Sequence, residues 1–281
     1  MDLNLTGRHA LVCGASQGIG LATAKALAGL GADVTVLARR EEVLRDVVAA
    51  LPRQRAQAHG WIAADASHTE EVRARVEALV AGKPVHILVN NSGGPAPGTI
   101  RGTDPAAFEA AYRQHLLANH VLAEAVVPGM ERDGYGRIVN VISTSVKEPI
   151  RGLGVSNTTR WAVASWAKTL ATELAPRGIT VNNVLPGSTE TPRIEQIITT
   201  SAERTGRSRE DVFASMVADI PLGRFARPEE TASAIAFLCS PAAAYITGVN
   251  LPVDGGFSAS GGVGRPTREI EEAVSQAMVR F

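Results

Sequence analysis

The feature that most constrains this chain is the regular alternation of short apolar runs with longer helix-like segments. Seven runs rich in β-branched residues are predicted strands, at 9–14, 33–38, 59–65, 85–91, 137–143, 179–187 and 248–256. Helices are predicted between them, at 19–30, 41–50, 69–81, 106–131, 157–176 and 229–239. Continuous apolar strands separated by helices favour a parallel sheet buried on both faces. Because crossovers are right-handed, we predict an α/β fold with one doubly wound parallel sheet flanked by helices.

The charge balance argues against two classes of partner. Lys plus Arg and Asp plus Glu number 28 each, and no basic stripe stands out, so neither nucleic acid nor an anionic membrane surface is expected. The longest apolar runs are of strand length, which predicts no membrane span. Asp2 precedes the first strand where a secretory leader would be apolar, so a cytoplasmic location is expected. Cys13 and Cys239 lie in apolar runs and are predicted to be reduced, buried thiols; no metal site is predicted.

A glycine-rich turn joins the first predicted strand to the first helix. The sequence "CGASQGIG" puts three glycines there, which permit positive φ and a close approach of the backbone to a ligand. The free N–H groups of the new helix offer a site for phosphate. In this position the turn predicts dinucleotide binding through Gly14, Ser16, Gln17, Gly18, Ile19 and Gly20.

Two arginines follow the second predicted strand, where NAD-binding proteins usually have a carboxylate for the ribose 2′-hydroxyl. Arg39 and Arg40 offer guanidinium groups instead, which suit a 2′-phosphate. NADPH is therefore the predicted cofactor in preference to NADH. The alternative is a solvated basic helix start, which fits Arg40 better than Arg39.

Four further segments carry a resemblance to a known family. They are "NNSGG" at 90–94, "GRIVNVISTS" at 136–145, "VNNVLPGSTET" at 181–191 and the segment 227–256 that ends in "VDGG". With the glycine turn, they resemble the short-chain dehydrogenase/reductase family in the same order over about residues 3–257. The resemblance implies one Rossmann-type domain, spanning residues 1–260, that transfers hydride between a nicotinamide and a carbon of a small-molecule substrate. It also implies a homotetramer or homodimer.

The resemblance assigns cofactor contacts residue by residue. Asp65, with Ala66, would meet the adenine, although Asp65 could instead cap the helix at 69–81. The segment 90–93 would line the adenosine ribose and the cofactor cleft, and the segment 186–191 would hold the nicotinamide carboxamide. The residues so assigned are Asn90, Asn91, Ser92, Gly93, Pro186, Gly187, Thr189 and Thr191, and Arg160 would hold the nicotinamide ribose.

The catalytic positions depart from the family pattern of Asn, Ser, Tyr and Lys. Ser143 matches the serine of "NVIS", and counting forward from there or backward from "LPG" gives Ser156 and Arg160 at the Tyr and Lys positions. Counting back from "GRIVNV" gives His115 at the Asn position. A serine hydroxyl is a far weaker acid than a phenol, so Ser156 is not a proton donor of matched strength. The guanidinium of Arg160 keeps a positive charge and can polarise an oxygen, but it does not give up a proton.

The proton source is therefore open at the level of sequence. His115 could act as a general acid or relay, since imidazole titrates near neutrality, or it could be a structural histidine. Lys147, four residues after Ser143, could donate a proton or be a solvated loop charge. Tyr112 could share a helix face with His115 but is expected to pack, and Tyr135 and Tyr245 are not candidates.

Four functions remain open. The first is NADPH-dependent reduction of a carbonyl, ranked first because the family commonly does it. The second is conjugate hydride addition to an enone, where an enolate oxygen could be stabilised without a strong acid. The third is a cofactor-binding protein without catalysis, and the fourth is a non-redox lyase or epimerase.

The last part of the chain is expected to shape the substrate site. By resemblance, residues 190–220 form a substrate lid with two helical pieces. Arg193 at its start could meet an acidic substrate or be a solvated surface residue. Residues 261–281 are predicted to form a C-terminal helical extension with an apolar side. Trp161 and Trp166 lie on the helix that forms the main dimer contact in the family, and core packing is the alternative for them.

Overall fold

The computed structural model describes residues 1–259 and shows a seven-stranded, all-parallel sheet. The spatial order is β3-β2-β1-β4-β5-β6-β7, as in a doubly wound sheet. The strands are β1 His9–Cys13, β2 Asp33–Ala38, β3 Gly60–Ala63, β4 Ile87–Asn90, β5 Gly136–Val141, β6 Ile179–Pro186 and β7 Asn250–Val253. The predicted fold class is confirmed. The predicted helical extension at 261–281 lies outside the described residues.

Helices cover both faces of the sheet, which explains why the strands are continuously apolar. The helices are α1 Gly18–Gly29, α2 Glu41–Ala50, α3 Thr69–Gly82, α4 Pro105–Tyr112, α5 Ala118–Arg132, α6 Gly154–Leu174, α7 Pro192–Thr205, α8 Arg209–Ala218 and α9 Pro228–Cys239. Alternate residues of β1 pack on opposite sides: Ala10 and Val12 against α1, α2 and α9, and Leu11 against α3, α5 and α6. Both cysteines are free and buried, as predicted. Within residues 1–259, no helix is long and apolar enough to cross a membrane.

One predicted helix, 106–131, has a different internal structure. Its backbone runs as α4, then a π-helical segment Arg113–Leu117, then α5. A π-helical turn inserts an extra residue into the helix and changes which side chains share a face, and such turns are frequent at functional sites. This π-helical turn contains His115, so the direction of the His115 side chain could not be read from α-helical spacing.

A ladder of four asparagines crosses the interior of the sheet from β4 to β7. Asn90 donates to Asn140, Asn140 to Asn183 and Asn183 to Asn250, with N···O distances of 2.9, 2.9 and 2.7 Å. The four residues are direct neighbours in register on adjacent strands. Each bond pairs an amide donor and an acceptor that would be costly to bury alone, and the Oδ1 of Asn90, at the end of the ladder, has no partner among the described residues. Asn90, which the resemblance assigned to the cofactor, has its side chain inside this ladder and is 1% exposed.

The predicted lid consists of two helices, α7 and α8, with a small core of their own. Its buried members are Ile194, Ile198, Ala202, Val212, Ile220 and Phe225. Because this core is separate from the clusters that pack on the sheet, the two helices form a distinct layer beside the carboxyl ends of β5 and β6.

Candidate active site

The glycine turn after β1 has the geometry of an anion site. Gly14 and Gly18 have φ of +59° and +57°, a region that L side chains rarely adopt. A Cβ atom at Gly20 would lie 2.3 Å from the carbonyl oxygen of Gly14, so the third glycine allows helix and turn to approach closely. Gln17, the N-cap of α1, makes no side-chain cap bond, and no acidic residue lies in the first turn. The first N–H groups of α1 are therefore available to a phosphate.

A cleft of about 270 Å³ lies over the carboxyl ends of β1, β4, β5 and β6, where the strand order reverses. Ligands bind at such switch points in open α/β sheets. Its walls include most of the predicted cofactor residues: Gly14, Gln17, Gly18, Ile19, Asn91, Ser92, Gly93, Arg160, Pro186, Gly187, Thr189 and Thr191. The predicted residues outside these walls are Ser16, Gly20, Arg39, Arg40, Asp65, Ala66 and Asn90.

The predicted adenosine end lies beyond the cleft, at the ends of β2 and β3. Ala38 and Ala63 are paired in register there, so the residues that follow them are neighbours, and Arg39 acts electrostatically on Asp65. The pKa of Asp65 is lowered, chiefly because its carboxylate accepts hydrogen bonds from the backbone N–H and hydroxyl of Ser67. The N-cap of α3 is His68, so the capping alternative for Asp65 is wrong.

Asn91 has a bracing role that the family resemblance did not specify. Its amide nitrogen lies 3.2 Å from the carbonyl oxygens of both Cys13 and Gly14. The side chain thus holds the loop after β4 against the glycine turn. This contact fixes the width of the cleft between the two strands.

Three of the four predicted catalytic residues line the cleft together. Ser143 follows β5 and its hydroxyl oxygen accepts from the backbone N–H of Ser145 at 3.0 Å. Ser156 and Arg160 lie four residues apart on α6 and therefore share a helix face. None of the three tyrosines lines the cleft, and the hydroxyl of the buried Tyr135 donates to the carbonyl oxygen of Cys239 at 2.8 Å.

Arg160 is a buried cation without a carboxylate partner among the described residues. It is 7% exposed, its Nη1 donates to the carbonyl oxygen of Val141 at 3.2 Å, and its Nε has no partner. Burial, and secondarily the charge of Arg193, lower the pKa of Arg160 to about 10. The group stays protonated at neutral pH, so a bare positive charge is directed at the cleft. Such a charge is costly unless a ligand compensates it.

His115 lies behind the residues that line the cleft and does not itself line it. It is 1% exposed, its Nδ1 lies 2.6 Å from the hydroxyl oxygen of Ser92, and its Nε2 has no partner among the described residues. Burial, then the charges of Arg160 and Arg193, lower the pKa of His115 to about 2. This burial favours the structural alternative over a general acid for His115. A relay through the neutral ring stays a prediction.

The remaining proton candidate, Lys147, is exposed at the end of a short 3₁₀ helix, Thr144–Val146, and does not line the cleft.

Arg193, for which the sequence left open a solvated surface position, is not fully solvated. It is half-buried, and its Nη2 donates to the carbonyl oxygen of Pro95 at 2.7 Å across the cleft. The sequence offered one signal for this contact: Gly94, where a Cβ would lie 3.3 Å from Arg193 Nη2, leaves room for the guanidinium.

A second cavity, of about 330 Å³, adjoins the cleft beneath the lid. The two share Ser143, Leu153, Pro186, Gly187, Ile194 and Ile197. Helices α7 and α8 contribute to its walls, so the predicted lid covers a cavity that opens onto the candidate catalytic serine. We refer to this space as the lid cavity.

The two tryptophans of α6 have different surroundings. Trp161 is 49% exposed, and its indole N–H donates to the carbonyl oxygen of Ser145 at 2.9 Å. Trp166 packs against two core clusters and meets the ring of His120 edge to face. Trp166 is thus partly buried against the core of its own subunit, and a subunit contact through either tryptophan stays a prediction.

Buried histidines predict a loss of stability in acid. Burial lowers the pKa of His115 to about 2 and that of His9 to about 4. Above pH 6.5 each histidine is neutral in both the folded and the unfolded state, so it does not change the free energy of unfolding. Below pH 6.5 each histidine becomes protonated in the unfolded chain but stays neutral in the folded protein. The free energy of unfolding should therefore fall by roughly 2 kcal/mol per histidine between pH 6.5 and 5.

Urea denaturation of His115→Gln at both pH values measures this effect. The variant should lose about 2 kcal/mol less than the wild type on acidification. His68→Gln, at an exposed position, is the matched control and should keep the wild-type dependence. An unchanged pH dependence in His115→Gln would mean that His115 is protonated in the folded protein.

The sheet order, the glycine turn and the cleft at the strand ends define a Rossmann-type dinucleotide-binding protein. The chain belongs to the short-chain dehydrogenase/reductase family of oxidoreductases: a model of this family, described as enoyl-(acyl carrier protein) reductase, matches residues 14–258.

Relatives across the family are similar over nearly their full length. The 4-formylbenzenesulfonate dehydrogenase of Comamonas testosteroni is 35% identical over 261 residues, covering 90% of this chain and 99% of the relative. The crystal structure of L-sorbose reductase from Gluconobacter frateurii, complexed with NADPH and L-sorbose, has a TM-score of 0.85 at 33% identity, covering 92% and 99% of the two chains. A variant of the actinorhodin polyketide ketoreductase, crystallised with NADPH, has a TM-score of 0.83 at 34% identity, covering 89% and 97%.

Proposed function

We propose that this protein is an NADPH-dependent reductase that acts on the carbonyl group of a small organic molecule. The observation that carries the proposal is the buried guanidinium of Arg160, which has no carboxylate partner within residues 1–259 and lines a cleft together with Ser143 and Ser156. Such a cation is most useful where negative charge develops on an oxygen during reaction. Membership of an oxidoreductase family and the similarity to ketone reductases add support.

The residues present fit NADPH. The uncapped start of α1 and the glycine turn suit the diphosphate, since a Cβ at Gly20 would occupy the space between helix and turn. Arg39 is exposed, beside Asp65, and forms no ion pair among the described residues, so its guanidinium is free for a 2′-phosphate. Similar structures were crystallised with NADPH. When bound, the nicotinamide supplies the hydride.

The chain's own groups then bind and polarise the substrate oxygen. Ser143 and Ser156 donate hydrogen bonds to it, and the charge of Arg160 stabilises the negative charge that develops. Because Ser156 and Arg160 do not act as acids of suitable strength, the proton comes from water in the open cleft or from the substrate itself. The ring of His115 lies behind the cleft, where its Nδ1 is 2.6 Å from the hydroxyl oxygen of Ser92.

A second candidate is hydride addition to the carbon–carbon double bond of an enone. It is favoured by one observation: in the part of the chain that the structure describes, no histidine or cysteine lines the cleft. In this reaction the charge develops on an enolate oxygen, which Arg160 can stabilise without an immediate proton transfer. The product then takes its proton from solvent.

Isotope transfer distinguishes these functions. NADPH carrying deuterium at the transferable position, and the matching NADH, would each be incubated with the protein and a mixture of ketones, quinones and enones. We expect mass spectrometry to find deuterium on a carbinol carbon, with NADPH the better donor. Label on the carbon β to a retained carbonyl would replace carbonyl reduction with conjugate reduction. Tight NADPH binding without any label would favour a binding protein.

A further inference from the structure

The lid helix α7 carries two arginines that line the cleft and the lid cavity. Arg193 and Arg204 are eleven residues apart, which is close to three turns, so they lie on one side of the helix. Arg193 lines the cleft and Arg204 lines the lid cavity. Ile194, Ile197, Thr200 and Ser201 of the same helix face the lid cavity between them.

Arg204 lies against the loop that precedes α6. A Cβ at Gly152 would be 2.9 Å from Nη1 and 3.2 Å from Nη2 of Arg204, and Gly152 has φ of +76°. A glycine at this position therefore makes room for the guanidinium at the cavity wall. No hydrogen bond or ion pair is made by Arg204 within the described part of the chain, whereas Arg209 of the same lid pairs with Glu195.

The other walls of the lid cavity are mainly apolar. They include Ile150, Leu153, Ile194, Ile197 and Met216, with Ser143 where the cavity meets the cleft. Arg151 and Arg204 are its cationic residues. Asp219 is its single acidic residue within the described chain; it is exposed and pairs with neither arginine. The cavity thus combines an apolar wall with an uncompensated positive charge.

The cofactor does not supply the matching anion. The glycine turn that suits the diphosphate lines the cleft, and none of its residues lines the lid cavity. Arg39, proposed for the 2′-phosphate, follows β2 at the opposite end of the cleft from the lid. Among residues 1–259, then, nothing supplies an anion to Arg204, and its exposed guanidinium is free to bind one that the substrate carries.

We propose that the substrate carries a carboxylate, separated from the reacting carbonyl by an apolar body, and that Arg204 binds this carboxylate. The carbonyl lies at Ser143, the apolar body fills the lid cavity, and the guanidinium of Arg204 takes the carboxylate in bidentate contact. The assignment of the carbonyl rests on the reductase function proposed above; the carboxylate site does not. Arg204 is a specificity-determining residue in this scheme.

Binding without turnover tests the site. Isothermal titration of the NADP⁺ complex would use straight-chain carboxylates of four to ten carbons and the corresponding primary amides. The carboxylate that fits best should bind about tenfold more tightly than its amide, and Arg204→Gln should remove the difference. Arg204→Lys should retain part of it. Arg207→Gln is the matched control, because Arg207 lies outside the cavity and donates to the backbone of Asp211.

Turnover of keto acids and their methyl esters then separates the two proposals. A carboxylate preference that depends on Arg204, with no carbonyl reduced, would keep the site and overturn the reductase function. Reduction of acids and esters with equal kcat/KM, unchanged in Arg204→Gln, would keep the function and overturn the site. In the titration, equal binding of carboxylate and amide, or a preference for carboxylate that survives in Arg204→Gln, would also overturn the carboxylate site.

Discussion

Replacing Arg160 with Met should stabilise the cofactor-free protein and at the same time remove most of its activity. The buried guanidinium has a lowered pKa, so its charge destabilises the folded state at every pH below about 10. Exchanging a buried, uncompensated charge for an apolar side chain of similar volume is expected to raise the free energy of unfolding by about 1–4 kcal/mol. Loss of the charge that stabilises the developing oxyanion should lower kcat by about 10²–10³-fold.

Urea denaturation and steady-state kinetics measure the two effects on the same preparation. Arg160→Lys keeps a positive charge and should retain more activity than Arg160→Met. Arg224→Met is the matched control on the surface, because Arg224 pairs with Glu230 and does not line the cleft. A less stable Arg160→Met protein that keeps its activity would show that the guanidinium has a structural role.

Replacing Asn140 with Leu should be among the most damaging changes in the sheet. Asn140 is fully buried and stands in the middle of the asparagine ladder, where it accepts from Asn90 and donates to Asn183. The substitution leaves a buried donor on one neighbour and a buried acceptor on the other. At about 1–3 kcal/mol for each unsatisfied group, we expect a loss of roughly 2–6 kcal/mol in the free energy of unfolding.

The end of the ladder provides the comparison. Asn250→Leu removes one hydrogen bond and leaves one buried donor, on Asn183, so its loss should be about half as large. Both variants would be compared with the wild type by urea denaturation, with far-UV circular dichroism to confirm that each folds. Equal losses for Asn140→Leu and Asn250→Leu would mean that the ladder does not act as a chain of paired amides.

Some of the site could be read from sequence because its geometry is local. The glycine turn and the residues at the ends of strands are set by the strand-to-helix connections, so their chain positions predict their place at the cleft. The same holds for Ser156 and Arg160, whose spacing of four puts them on one face of α6. Seven strands and their helices were predicted to within a few residues for the same reason.

Other predictions required contacts between distant segments. The surroundings of His115 could not be read from sequence, because they depend on a π-helical turn and on Ser92, 23 residues away. Asn90 is near the cofactor cleft in sequence, but its side chain joins a ladder whose other members come from three different strands. The half-buried state of Arg193 depends on Pro95, 98 residues earlier.

The sequence by itself determined the parallel sheet, the dinucleotide turn and the identity of the candidate catalytic residues, because these follow from periodicity and from short spacings. Only the tertiary structure decided how those residues are charged and what they face. The uncompensated charge of Arg160 and the neutral ring of His115 arise from burial, whereas the guanidinium of Arg204 is exposed and pairs with no carboxylate of the described chain. Desolvation and the placement of partners are properties of the packed molecule, and no local pattern encodes them.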